Sequence, residues 1–74
     1  MTNKEKFAEV YVRAFSDSYP GIGAEKQARL INRAVKKACE DIRCVSIDDA
    51  AFRLTAKRLG IPHTYKAFEE FLSK

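Results

Sequence analysis

The chain has 74 residues, of which 46% are hydrophobic and 32% charged, and its formal net charge at pH 7 is +4. This length fits one domain with a modest core, and the apolar share argues against a disordered chain. No apolar run approaches the roughly 18 residues of a membrane helix, and the N-terminal residues lack the apolar stretch of a signal peptide, so we expect a cytoplasmic location. The mild positive charge permits a nucleic acid or an acidic protein as partner and requires neither.

The first predicted element is a helix over residues 3–18. Thr2 or Asn3 supplies a helix N-cap, and Glu5 lies in the first turn, where a carboxylate favours the helix dipole. Apolar side chains recur at helical spacing and form one stripe, made of Phe7, Val10, Tyr11, Ala14 and Phe15. Basic and acidic residues balance along this helix, so we interpret it as a packing element.

The second predicted helix covers residues 24–45, the longest run without glycine or proline, and we expect it to be the central helix of the fold. At about 100° per residue, one half of this helix is apolar. The side chains of that half are Leu30, Ile31, Ala34, Val35, Ala38 and Ile42, with Cys39 at the margin. This half is broad enough to meet two or more neighbouring elements.

The opposite face of the second helix holds most of the excess positive charge, because residues 21–44 contain six basic and three acidic residues. Its lysines and arginines are Lys26, Arg29, Arg33, Lys36 and Lys37. Such a row can follow a phosphate backbone, which gives affinity without choice of sequence. The alternative is a solvated charged face, as soluble helices ordinarily have.

Residues 19–23, Tyr-Pro-Gly-Ile-Gly, separate the first two helices and predict an antiparallel hairpin. Their Gly-x-Gly pattern lacks a preceding strand and a Gly-Lys-Ser/Thr sequence, so it does not indicate a nucleotide loop. We expect no cofactor.

Two further helices are predicted over residues 47–59 and 64–73. Ser46 is the expected N-cap of the third helix and Gly60 its stop, while His63 or Thr64 caps the fourth. The fold class is therefore all-α: a small single-domain bundle of four helices, in which the last two cover the hairpin of the first two.

The third and fourth helices join in a sequence that resembles the helix-turn-helix of bacterial and phage regulators. Ala56, Leu59, Gly60 and Ile61 match the motif, in which alanine permits close helix approach and glycine makes the turn. The pattern departs where the motif has buried aliphatic residues, since Lys66 and Glu69 occupy those positions. A plain corner between two core helices is the other interpretation. The resemblance implies nucleic-acid contacts near the turn from Arg53, Lys57, His63, Thr64 and Lys66.

Catalytic and metal-binding patterns are weak, so we expect no enzyme and no small-molecule substrate. His63 is the only histidine and stands beside a proline. Cys39 and Cys44 would point about 140° apart on a continuous helix, which prevents a disulfide, and they have no second cluster of ligands to complete a metal site.

The leading hypothesis is a small non-enzymatic nucleic-acid-binding protein with a regulatory or accessory role. Its size and character resemble compact accessory proteins of phages and mobile elements. The alternative is a protein-interaction or inhibitor module that dimerises or docks on an acidic or apolar partner surface, because eight aromatic residues can leave an apolar stripe exposed.

Overall fold

A computed structural model describes residues 2–74 and contains four α-helices, with no strand among those residues. The helices are α1 (Asn3–Ser18), α2 (Ala24–Glu40), α3 (Ala50–Leu59) and α4 (Tyr65–Ser73), and a short 3-10 helix covers Ile42–Cys44. The predicted all-α bundle of four helices is confirmed.

The hub of the fold is α1, and the prediction that the second helix is central was wrong. α1 packs chiefly on α3 and also contacts α2 and α4, whereas the main neighbours of α2 are α1 and the 3-10 helix. α1 buries Phe7, Tyr11 and Phe15, but α2 buries only Ile31 and Ala38. Large aromatic side chains fill more core volume than the small residues of α2, so the core forms around α1.

The core is a cluster of aromatic rings from three helices. The ring centroids of Tyr11 and Phe52 lie 4.8 Å apart, and Phe68 of α4 meets Phe7 and Phe52 edge to face at 6.0 and 6.1 Å. Such geometry suits the ring quadrupoles and adds to the free energy of burial. This cluster fixes α3 and α4 on the same side of α1.

The second helix ends at Glu40, five residues earlier than predicted. Asp41 is extended, with φ −159° and ψ 107°, and its carboxylate accepts a hydrogen bond of 3.0 Å from the backbone N–H of Arg43. The segment that follows is held by α4, because Arg43 pairs with Glu69 and the hydroxyl of Tyr65 donates to the carbonyl of Val45. These tertiary contacts and the local capping by Asp41 override the helical propensity of the sequence.

The third helix begins at Ala50, and Ser46 is not its cap as predicted. Asp49 is the N-cap, since its Oδ1 accepts from the backbone N–H of Ala51 at 2.9 Å. Ile47, placed in the helix by the sequence pattern, is instead buried in the connecting segment. Both Ser46 and Asp49 can cap a helix, and the burial of Ile47 selects the later one.

The end of α3 is closed by a glycine in the left-handed conformation. Gly60 has φ 72°, and its N–H and that of Ile61 donate to the carbonyls of Lys57 and Ala56 at 3.2 and 3.1 Å. This is the Schellman arrangement, which satisfies the last carbonyl groups of a helix. Thr64 then caps α4, accepting from the N–H of Ala67 at 3.1 Å.

Candidate nucleic-acid interface

The predicted basic face lies exposed on α2. The five side chains are spread over about 100° of the helix circumference and about 16 Å of its length. All five are exposed: Lys26, Arg29, Arg33, Lys36 and Lys37. Glu40 lies within the same arc at the C-terminal end of the helix, so the N-terminal three turns are the more positive part.

Among the described residues, the five cations on this face have no carboxylate partner, in contrast to Arg43 and Arg58. Arg43 pairs with Glu69 at 2.7 Å, and Arg58 pairs with Asp17 at 2.5 Å. Over residues 2–74, no salt bridge or side-chain hydrogen bond involves any of the five cations of α2. Their full charge is therefore available to an external anion.

A second group of predicted cations lies on α3 and α4. Arg53, Lys57 and Lys66 are exposed. α2 and α3 pack on α1 without close contact with each other, and neither Arg53 nor Lys57 lines the groove beside α2. Arg53 and Lys57 therefore lie on a different helix from the basic face, and Lys66 lies on a third helix.

The remaining two predicted contacts have structural roles. Nε2 of His63 donates to the backbone carbonyl of Ile47, and the His63 ring meets Phe68 edge to face at 6.4 Å. Thr64 is exposed, but its hydroxyl is the α4 cap. Both residues hold the connection between α3 and α4 in place.

That connection differs from the usual helix-turn-helix in length and packing. Five residues, 60–64, join the helices, where the motif commonly has three or four. α4 packs on α1 and the 3-10 helix more than on α3, and Lys66 is exposed where the motif buries an aliphatic residue. The best-defined basic surface is therefore the face of α2.

A groove of about 430 Å³ runs between α2 and the segment that leads into α3. Tyr11, Phe15 and Phe52 form its floor, and Leu30 and Ala34 form the apolar part of the α2 wall. Sequence reasoning missed this groove. The only signal was the breadth of the apolar half of α2, which the structure leaves partly uncovered.

The polar groups of the groove are few. Arg33 and Lys37 lie at its α2 edge, while the Oδ1 atom of Asp49 accepts from the hydroxyl of Tyr19 at 2.7 Å. That hydrogen bond raises the pKa of Tyr19. Burial, assisted by the charge of Asp49, raises the pKa of Tyr11.

The two cysteines lie on either side of the end of α2. The helix does not continue to Cys44, so the geometric argument against a disulfide, which assumed a continuous helix, does not apply here; both thiols are free. Cys39 is half-buried and Cys44 exposed. In the described part of the chain, no three His, Cys, Asp or Glu side chains gather as a metal site.

Comparisons with known proteins place no constraint on this interface. No protein-family model, curated protein or solved structure matches the chain. None of the helices within residues 2–74 has the length and apolar character needed to cross a membrane.

Proposed function

We propose that the protein is a small nucleic-acid-binding regulatory or accessory protein, of the kind carried by phages and mobile elements, and that α2 contacts the phosphate backbone. The observation that carries the proposal is the row of five exposed cations without carboxylate partners. The arginines that pair with carboxylates, Arg43 and Arg58, lie elsewhere.

The dimensions of the basic face suit a run of phosphates. Lys26 and Lys37 are separated by about 16 Å of helix, so five cations face one stretch of phosphate backbone; because a strand winds around the duplex axis while the helix is straight, five contacts are the upper limit. Three to five phosphate contacts give affinity that does not depend on the nucleotide sequence. Arg53, Lys57 and Lys66 would add contacts only if the nucleic acid extends beyond α2.

Fluorescence anisotropy with a labelled DNA duplex and a labelled RNA of the same length tests the proposal. With three to five contacts, the slope of log K against log salt should be about −3 to −4.5 for the duplex. Between 50 and 200 mM salt, affinity should fall roughly 40- to 500-fold. The RNA titration identifies which nucleic acid is preferred.

The discriminating variant is Arg29→Glu with Lys36→Glu, which should reduce the salt slope by about 2 and weaken binding at low salt. The matched control is Lys6→Glu with Arg13→Glu, which makes the same change of net charge at exposed positions of α1. Equal losses from both double variants would mean that net charge alone attracts the nucleic acid. Absence of binding to either nucleic acid at about 50 mM salt would refute the proposal.

A further inference from the structure

The fold fully buries only part of the apolar face of α2. Ile31 and Ala38 are buried, but Leu30, Ala34 and Val35 remain partly exposed although they belong to the same half of the helix. Leu30 and Ala34 form the wall of the groove described above. The groove volume, about 430 Å³, lies within the range of ordinary binding pockets.

The groove has a one-sided charge. Arg33 and Lys37 stand beside Leu30 and Ala34 without ion-pair partners in residues 2–74. On the facing side, the only carboxylate is that of Asp49, whose Oδ1 already receives hydrogen bonds from the Tyr19 hydroxyl and from α3. Because Arg33 and Lys37 are unpaired in the described chain and the carboxylate of Asp49 already accepts hydrogen bonds, the edge of the groove beside the apolar wall is positively charged.

The floor carries one hydroxyl group that is free to bond to an occupant. Tyr11 is only 2% exposed and lines the groove, and no hydrogen bond of its hydroxyl is found in the described residues. The hydroxyl is open to solvent in the groove, since no buried side-chain oxygen of the described residues lacks a hydrogen-bond partner, and it can donate to an acceptor on an occupant, such as a backbone carbonyl or a carboxylate.

We propose that this groove docks an acidic amphipathic segment of a partner protein, whose apolar side chains contact Leu30 and Ala34 and whose carboxylates face Arg33 and Lys37. A wholly apolar occupant would cover the two cations without compensating their charge, which is costly. A nucleic acid is disfavoured because the floor aromatics are buried, at 2%, 6% and 3% exposure for Tyr11, Phe15 and Phe52, and present little ring surface for base stacking.

The docking groove overlaps the phosphate-binding face only at Arg33 and Lys37. Arg29 and Lys36 lie roughly 100° to 160° around the helix axis from Leu30 and Ala34, so they do not border the groove. Arg33 and Lys37 are shared, and an occupied groove would compete with nucleic acid for these two residues.

The probe is a labelled synthetic helical peptide of about 14 residues with leucines on one face and glutamates flanking them. Two further peptides serve as controls: one with lysine in place of every glutamate, and one with the same composition in scrambled order. Titration into the full ¹⁵N-labelled chain should shift the amide signals of Leu30, Ala34, Val45 and Phe52. The acidic peptide should bind with a dissociation constant below about 1 mM, and the other two at least about tenfold more weakly.

Two alanine substitutions on α2 make a matched pair. Ala34→Glu places a carboxylate in the groove, while Ala28→Glu makes the same change at an exposed position that does not line it. Ala34→Glu should weaken the acidic peptide at least about tenfold and Ala28→Glu by less than about twofold. If Ala34→Glu does not fold, the comparison of the acidic, lysine and scrambled peptides on the unaltered chain decides.

Four results would overturn the docking proposal. They are equal binding of the acidic and lysine peptides, no groove shifts at about 1 mM peptide, groove shifts that follow protein concentration, and larger groove shifts with duplex DNA than with peptide. The third result would assign the groove to a second copy of the chain. The fourth would assign it to nucleic acid. Loss of nucleic-acid binding alone leaves the docking proposal standing, because the peptide titration contains no nucleic acid.

Discussion

Asp49 joins two parts of the fold, and its replacement by alanine should destabilise the protein far more than replacement of its neighbour Asp48. The Oδ1 atom of Asp49 caps α3 through Ala51, at 2.9 Å, and accepts from the hydroxyl of Tyr19 at 2.7 Å. Tyr19 lies just after α1, so this carboxylate ties the end of α1 to the start of α3. Asp48 is exposed and makes no side-chain hydrogen bond in the described structure.

The expected loss follows from these two bonds. Removing an Asp N-cap costs about 1 kcal/mol of unfolding free energy. A hydrogen bond to a charged group contributes about 1.5 to 3 kcal/mol, and partial solvent access places this one toward the lower end. The sum of about 2 to 3 kcal/mol is a large share of the roughly 4 to 11 kcal/mol expected for a domain of this length. The midpoint of thermal unfolding should fall by roughly 10 to 20 °C.

Urea and thermal unfolding followed by circular dichroism measure the effect of Asp49→Ala. The matched controls are Asp48→Ala, which removes an identical charge, and Ser46→Ala, which removes the cap suggested by the sequence. Both should change stability by less than about 0.5 kcal/mol. A Tyr19→Phe variant closes a double-mutant cycle, with a coupling energy of about 1 kcal/mol expected. A Ser46→Ala variant as unstable as Asp49→Ala, or equal stability of the two aspartate variants, would contradict the role assigned to Asp49.

Three other outcomes follow from single features of the structure. Gly60→Ala should lower the free energy of unfolding by about 1 to 2 kcal/mol, because φ is 72° at this residue. Gly21→Ala should lower it much less, since an added Cβ contacts nothing there and φ is not positive. Equal urea midpoints for the two variants would contradict this expectation. The raised pKa of Tyr19 means that the folded state holds this proton more tightly than the unfolded chain, whose tyrosine titrates near 10.0, so stability is full below that pH and declines above it. Tyr19→Phe should show a shallower decline in urea melts between about pH 8 and 11, and an unchanged decline would assign the effect to other groups. Iodoacetamide should modify exposed Cys44 before half-buried Cys39, whose pKa is raised by burial, as mass spectrometry of the digested protein can show; preferential labelling of Cys39 would refute this.

Local patterns determined the helices. The span of α1 and the stop at Gly60 were predicted, and the caps Thr2 and Thr64 were each one of two predicted candidates, because each feature depends on side chains within a turn or two of the backbone groups that they satisfy. The two faces of α2 were predicted for the same reason, since helical spacing alone sets which residues share a side.

Contacts between distant parts of the chain decided where α2 ends, where α3 begins and which helix is central. α2 ends at Glu40 because the segment after it is held by α4, and α3 starts at Ala50 because Ile47 is buried and Asp49 receives a bond from Tyr19. The central helix is α1 and not α2, because the aromatic rings of α1 contact Phe52 and Phe68. The apolar pattern of one helix does not show which rings of other helices it will contact.

For the two candidate surfaces, too, some features follow from the sequence and others only from the tertiary structure. Sequence by itself determined that five cations share one face of α2, since their spacing is local. Only the tertiary structure decided that these cations have no carboxylate partner among the residues described, while Arg43 and Arg58 are paired with carboxylates 26 and 41 residues away. The groove beside Leu30 and Ala34 also belongs to the tertiary structure alone, because its floor and walls come from separate elements of the chain.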